Sequence, residues 1–129
     1  MKFLVIDDSS TMRRIVINSL ARVGYSSYVE ATDGADALTK FDASIDVVIS
    51  DWNMPTMSGI EFAKALRLRD DGKDVPLLMV TTRASRDDII AASLAGVSGY
   101  ILKPFTPEVF KERITKLIEA IGASPETPS

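Results

Sequence analysis

The chain has 129 residues, a formal net charge of −3 and a pI near 4.9, with 46% hydrophobic and 26% charged residues; this is one domain of ordinary composition, long enough to bury a core. It has no cysteine and no histidine, which excludes disulfides, thiol chemistry, a Ser-His-Asp triad, a zinc hydrolase and a phosphohistidine carried on this chain. The acidic balance speaks against nucleic acid and anionic membrane as partners, and it leaves chemistry to carboxylates, hydroxyls, lysine and oxygen-bound hard cations.

The start of the chain, Lys2 to Ile6, lacks the length and cleavage site of a signal peptide. No apolar run approaches the roughly 20 residues that span a bilayer, and the expected location is the cytoplasm. Phe3 to Ile6 reads as a first strand ending at Asp7-Asp8. Ser9 or Ser10 then caps a helix on which Met12, Ile15, Val16, Leu20 and Val23 recur at helical spacing, with Gly24 as its stop. Tyr25 to Ala31 is a weaker second strand, and Asp33-Gly34 opens a short helix holding Ala37, Leu38 and Phe41. Ile45 to Ser50 contains the run Val47-Val48-Ile49, too short for a helix and suited to a strand buried on both faces. That strand stops at Asp51, and Pro55 and Gly59 force a loop.

Gly59 to about Leu68 is a third helix with Ile60, Ala63 and Leu66 inward, and Arg67 to Lys73 reads as a solvated connection. Trp52 stands on a polar loop with no obvious packing partner. Leu77 to Thr81 is a fourth strand, Ser85 caps a fourth helix running through Ala95, and Gly99 to Leu102 is a fifth strand ending at Lys103-Pro104. Thr106-Pro107 is an N-cap with proline at the first helical position. Phe110, Ile114, Leu117, Ile118 and Ile121 form the apolar stripe of the last helix.

Strands alternating with helices argue an α/β fold, a single doubly wound parallel sheet of five strands with helices on both faces. All strand ends then share one rim, where open α/β sheets bind their ligands. On it stand Asp7 and Asp8, Asp51, Thr81 and Thr82, and Lys103. Taken singly, these have plain roles: acids favouring a helix N-terminus, a strand threonine, a surface lysine. Their convergence is what the plain roles do not explain. Three acids repel unless a cation sits among them, and magnesium suits because it takes one or two carboxylates, waters and a phosphate oxygen. Lys103 and the Thr81 hydroxyl fit phosphoryl oxygens. Asp51, on the central strand, is the candidate nucleophile for an acyl phosphate.

Asp7-Asp8, Asp51, Thr81 and Lys103-Pro104 together resemble the signature of the receiver domain of two-component response regulators, over nearly the whole chain. Phe3-Leu-Val-Ile-Asp-Asp, Ser10-Thr-Met-Arg-Arg-Ile-Val, Ile49-Ser-Asp-Trp-Asn-Met-Pro and Lys103-Pro-Phe-Thr are similar to its chemotaxis branch. The resemblance implies a flavodoxin-like sheet of order 2-1-3-4-5, an order that comes from the family and not from these residues. It implies that Asp51 takes phosphate from a histidine kinase, and that Asp7, Asp8, Asp51 and the backbone carbonyl of Asn53 form a magnesium site. Thr81 and Tyr100 correspond to a switch pair, and Lys103 to the lysine that contacts phosphate, followed by a candidate cis bond to Pro104. Ala84, Ile89, Val97, Tyr100 and Arg113 correspond to an output face for a flagellar motor switch protein or another partner, with a phosphatase as a further partner. The implied unit is a monomeric receiver over 1–122 with a flexible tail over 123–129. It is no enzyme beyond its own phosphorylation and dephosphorylation.

Thr82 and Arg83 depart from the chemotaxis pattern, which has an alanine and an acid there. Arg83 puts a long cation at the mouth of the site, where with Asn53 it is expected to govern how long the phosphoryl group survives. Two alternatives stand beside the chemotaxis reading. One is a receiver with another output, a phosphorelay shuttle or a piece of a longer regulator. The other is a magnesium-dependent aspartyl phosphohydrolase, against which stand the missing Asp-x-Asp after strand one and the lack of room for a cap domain.

Overall fold

The computed structural model of the chain describes residues 1–122, with side chains to residue 120; the expected tail, 123–129, and the Ile121 side chain lie outside the described residues. The elements run β1 (Lys2–Ile6), α1 (Ser10–Val23), β2 (Ser27–Ala31), α2 (Gly34–Lys40), β3 (Val47–Asp51), α3 (Gly59–Arg67), β4 (Leu77–Thr81), α4 (Arg86–Leu94), β5 (Gly99–Leu102) and α5 (Pro107–Gly122). The strands form one five-stranded sheet in the order β2-β1-β3-β4-β5, every neighbouring pair parallel. Among the described residues, no helix is long and apolar enough to cross a membrane.

Alternate residues of each strand serve opposite faces of the sheet. Leu4, Ile6, Val48, Leu77 and Met79 pack with Ala37 of α2, Phe62, Ala63 and Leu66 of α3, and Ala92 of α4. Phe3, Val5, Val47, Ile49, Leu78 and Val80 meet Val16, Ile17 and Leu20 of α1 and Phe110, Ile114 and Leu117 of α5. Two cores thus sandwich the sheet, which is why the central strands are apolar without alternation. The helix starts follow the sequence: the side chains of Ser9, Asp33, Ser58 and Ser85 cap α1, α2, α3 and α4, and Thr106 Oγ1 accepts from the Val109 N–H at the start of α5. Gly24 ends α1 at φ 103, in the left-handed region that glycine enters freely.

The structure corrects several local expectations. Tyr25 lies before β2, its ring 5.1 Å from that of Phe3. In α3 it is Phe62 that is fully buried, whereas Ile60 is only partly so. The Arg67–Lys73 run is solvated at Leu68, Asp70, Asp71 and Lys73 but not at its two arginines. Arg67 closes α3 and donates to the carbonyls of Gly72, Val75 and Gly96, and Arg69 donates to those of Leu38 and Phe41. Two guanidiniums therefore stitch this end of the molecule through backbone acceptors. Trp52 has packing partners after all: it is buried and belongs to the core that α2, α3 and α4 share.

Candidate functional site

Strand register sets the rim. Ile6 pairs with Ser50, Asp51 with Val80, and Thr81 with Leu102, so Asp7, Asp51, Thr81 and Lys103 end four neighbouring strands side by side. The sheet order reverses between β1 and β3, which is where open α/β sheets leave a crevice at their carboxyl ends. The β3–α3 loop folds back closely on the end of β3. A Cβ on Gly59 would overlap the Asp51 carbonyl oxygen, and the Gly59 N–H donates to the Trp52 carbonyl at 2.7 Å. Within that loop Thr56 sits at φ 68 while the Met57 N–H reaches the Pro55 carbonyl at 2.6 Å, a tight three-residue turn.

Carboxylate oxygens of Asp7, Asp8 and Asp51 lie within 4.8 Å of one another. Asp7 and Asp51 are buried and Asp8 is exposed. Lys103 Nζ stands 3.2 Å from Asp51 Oδ1 and 3.7 Å from Asp7 Oδ2, and its peptide bond to Pro104 is cis. Asp51 Oδ1 also accepts from the Trp52 N–H at 2.8 Å, so one oxygen of this carboxylate is held. Asp7 Oδ1 accepts from the Ser9 N–H at 2.9 Å. Burial is the largest influence on the Asp7 carboxyl and raises its pKa to about 6, against the lowering effect of that Ser9 hydrogen bond. All donors in the cluster are hard carboxylate oxygens and one of the three acids is open to water, which fits magnesium and not a soft metal. Among the described residues, this is the one group of three acids close enough to share a cation.

Thr81 is fully buried. Its Oγ1 accepts from the Arg83 N–H at 3.0 Å, and the Tyr100 hydroxyl donates to the Arg83 carbonyl at 2.8 Å. The backbone of residue 83 therefore links the two expected switch residues directly. Burial raises the Tyr100 pKa, with Asp88 adding to the rise and Arg83 opposing it. The Arg83 guanidinium lies 4.8 Å over the Trp52 ring. It donates to Asn53 Oδ1 at 3.2 and 3.3 Å and reaches Asp88 Oδ1 at 3.4 Å, so it spans from the β3–α3 loop to α4. Thr82 is exposed and lines a shallow cleft with Met12, Ile15, Lys103, Pro104 and Phe105.

The expected partner face is only partly one surface. Ile89, Tyr100 and Arg113 line a crevice with Phe105 and Val109, Val97 joins Ile89 and Tyr100 in a neighbouring depression, and Ala84, though exposed, lines neither. Sequence reasoning passed over Arg13, whose Nη1 donates to the Asp7 carbonyl at 2.7 Å while Nε pairs with Glu30 at 2.8 Å. The available signal was an arginine pair in the opening turns of a helix whose first turn has no acid.

The family model described as response regulator receiver domain matches residues 3–115. The chain is 49% identical over 116 residues to chemotaxis protein CheY1 of Helicobacter pylori strain J99, covering 88% of this chain and 94% of that protein. It is 48% identical over 123 residues to chemotaxis protein CheY of Pseudomonas aeruginosa, covering 95% and 99%. The solved structure of chemotaxis response regulator CheY4 of Vibrio cholerae is similar with a TM-score of 0.81 at 39% identity, over 90% of this chain and 97% of that one. A response regulator receiver domain from Clostridium thermocellum is similar with a TM-score of 0.82 at 28% identity, over 95% and 97%.

Proposed function

The chain belongs to the response regulator receiver domain family, and from that premise we propose that it takes a phosphoryl group from a partner kinase's histidine onto Asp51 and, so loaded, binds the flagellar motor switch as its chemotaxis output. One observation supports this most: the carboxylate ending the central strand is held by Lys103 at 3.2 Å and faces two further acids across one pocket. Oδ1 of Asp51 is occupied by Lys103 and the Trp52 N–H, which leaves Oδ2 to attack phosphorus. The O–P bond of the acyl phosphate forms as the N–P bond to the donor imidazole breaks, and the electron pair stays on that nitrogen. Lys103 is placed to follow the charge onto the phosphoryl oxygens. Held by Asp7, Asp8, Asp51 and the Asn53 carbonyl, magnesium would supply the remaining positive charge.

The Thr81 hydroxyl is the proposed sensor of the loaded state. Its oxygen already accepts from Arg83, so its proton is free for a phosphoryl oxygen. A shift of Thr81 moves the residue 83 backbone, and with it the Tyr100 hydroxyl and the crevice that Tyr100 shares with Ile89 and Arg113. Arg83 and Asn53 close the approach that water would take in line with the acyl phosphate, so they set its lifetime. A phosphatase shortens that lifetime in the cell. The only reactions assigned to the chain are gaining and losing this phosphate.

Incubation with acetyl phosphate and magnesium tests the assignment. Mass spectrometry is expected to find a single acid-labile acyl phosphate on Asp51 and none on Asp51→Asn. Equal labelling of the variant would refute it. Capture of the motor switch protein by the phosphorylated chain and not by Asp51→Asn tests the output.

A further inference from the structure

We infer that Arg13 is a positioning residue for the acidic pocket, holding the Asp7–Asp8 turn in the one shape that points both carboxylates at Asp51; this rests on the cation site proposed above. Asp8 is exposed, and its carboxylate makes no hydrogen bond or ion pair with the described residues, yet it lies within 4.8 Å of those of Asp7 and Asp51. With no partner to hold it, its reach toward the other two depends on where the backbone places its Cα and Cβ. The peptide joining Asp7 to Asp8 is planar, so the Asp7 carbonyl and the Asp8 Cα turn together. Arg13 Nη1 donates to that carbonyl at 2.7 Å. The Asp7 N–H is tied to the Ala31 carbonyl at 3.1 Å, and Asp7 is thus fixed on both sides.

The guanidinium is itself held. Its Nε is 2.8 Å from Glu30 Oε1 on β2, and the Arg13 side chain is only 15% exposed. A chain of contacts runs from an outer strand, through a helix, to the turn bearing two ligands. Helix electrostatics do not favour this placement. Arg13 lies in the opening turns of α1, where the dipole prefers anions and the first turn offers none. The arginine serves the turn and not its own helix.

Removing the Arg13 charge has two opposed effects on a cation bound nearby. Coulomb's law alone tightens binding, because a repelling charge has gone. Loss of positioning weakens it, because Asp8 is no longer aimed. The sign of the change separates them.

The experiment is magnesium binding to the full chain, by calorimetry and by Trp52 emission, for the native protein, Arg13→Met, Arg13→Lys and Arg14→Met. Methionine keeps an unbranched stem and drops the guanidinium, lysine keeps one donor for the carbonyl, and exposed Arg14 controls for charge alone. Arg13→Met is expected to bind about tenfold more weakly, the lower end for groups that orient metal ligands. Arg13→Lys is expected to recover part of the loss, and Arg14→Met to bind as tightly as the native chain or slightly more so. Melting in EDTA verifies that each variant is folded. Native-like or tighter binding by folded Arg13→Met overturns the inference. If that variant does not fold, Arg13→Lys decides: weaker binding than native supports the inference and equal binding overturns it. A native chain that binds no magnesium refutes the site itself and this inference with it, whereas tight binding by native and variant alike removes only the role of Arg13.

Discussion

Asp7 resists ionisation, because burial holds its pKa near 6 against an ordinary 3.8. Between those values the native chain holds this proton more tightly than the unfolded chain does, so stability from this group falls as pH rises through the window. A bound cation needs the ionised form, so magnesium affinity rises across the same window. Urea denaturation in EDTA is expected to show native stability declining relative to Asp7→Asn between 3.8 and about 6, and added magnesium is expected to reverse the trend. A native chain that gained stability over Asp7→Asn in that range without metal would contradict burial as the cause. At Arg83 the expectation is kinetic. Its forked contact with Asn53 Oδ1 is proposed to guard the approach of water to Asp51. Purified phosphoprotein is expected to lose phosphate severalfold faster in Arg83→Ala than in the native chain, with magnesium present and no phosphatase. Equal decay would make the contact structural only. Chemistry of this sort was legible in the sequence wherever a residue type has few uses, as with acids and a lysine at strand ends. The Arg13 carbonyl bond was not, because a guanidinium in a helix gives no sign of which distant acceptor it will find.

The elements divide in the same way. Capping serines, Gly24 and the apolar run of β3 act within a few residues of themselves, so their spacing announced them. Composition misled at Arg67 and Arg69, since a charged run reads as solvated whether its donors meet water or carbonyls. Trp52 was misread for a related reason: the loop around it is polar, but its ring joins the core that α2, α3 and α4 share. Arg67 makes a consequence measurable. Its guanidinium satisfies three backbone carbonyls, at Gly72, Val75 and Gly96, and binds the end of α3 to the turn after α4. Arg67→Ala is expected to cost about 1–3 kcal/mol in urea denaturation, the range for stranding buried acceptors. Acetyl phosphate labelling of Asp51 at the opposite end of the sheet should be unchanged. A loss under 0.5 kcal/mol, roughly that of an ordinary surface change, would mean that water replaces the guanidinium.

For the whole molecule, the common rim followed from alternating strands and helices, whereas the strand order did not. Pairing of β1 with β3 joins segments distant in sequence, and no local pattern encodes it. That order is what sets Asp7 beside Asp51. Signalling belongs to this scale, because phosphate on one rim acts only by favouring one of two arrangements of the molecule. Thr81→Ala is expected to accept phosphate on Asp51 yet lose most of the gain in partner affinity that phosphorylation brings, measured by binding of the motor switch protein to both forms. Full gain in the variant would place the coupling elsewhere. The rim also has an order in time. Asp7, Asp8 and Asp51 all precede Lys103 in the chain, so synthesis delivers the three acids before their lysine. Only when β5 pairs with β4 does an ammonium stand beside Asp51 and Asp7.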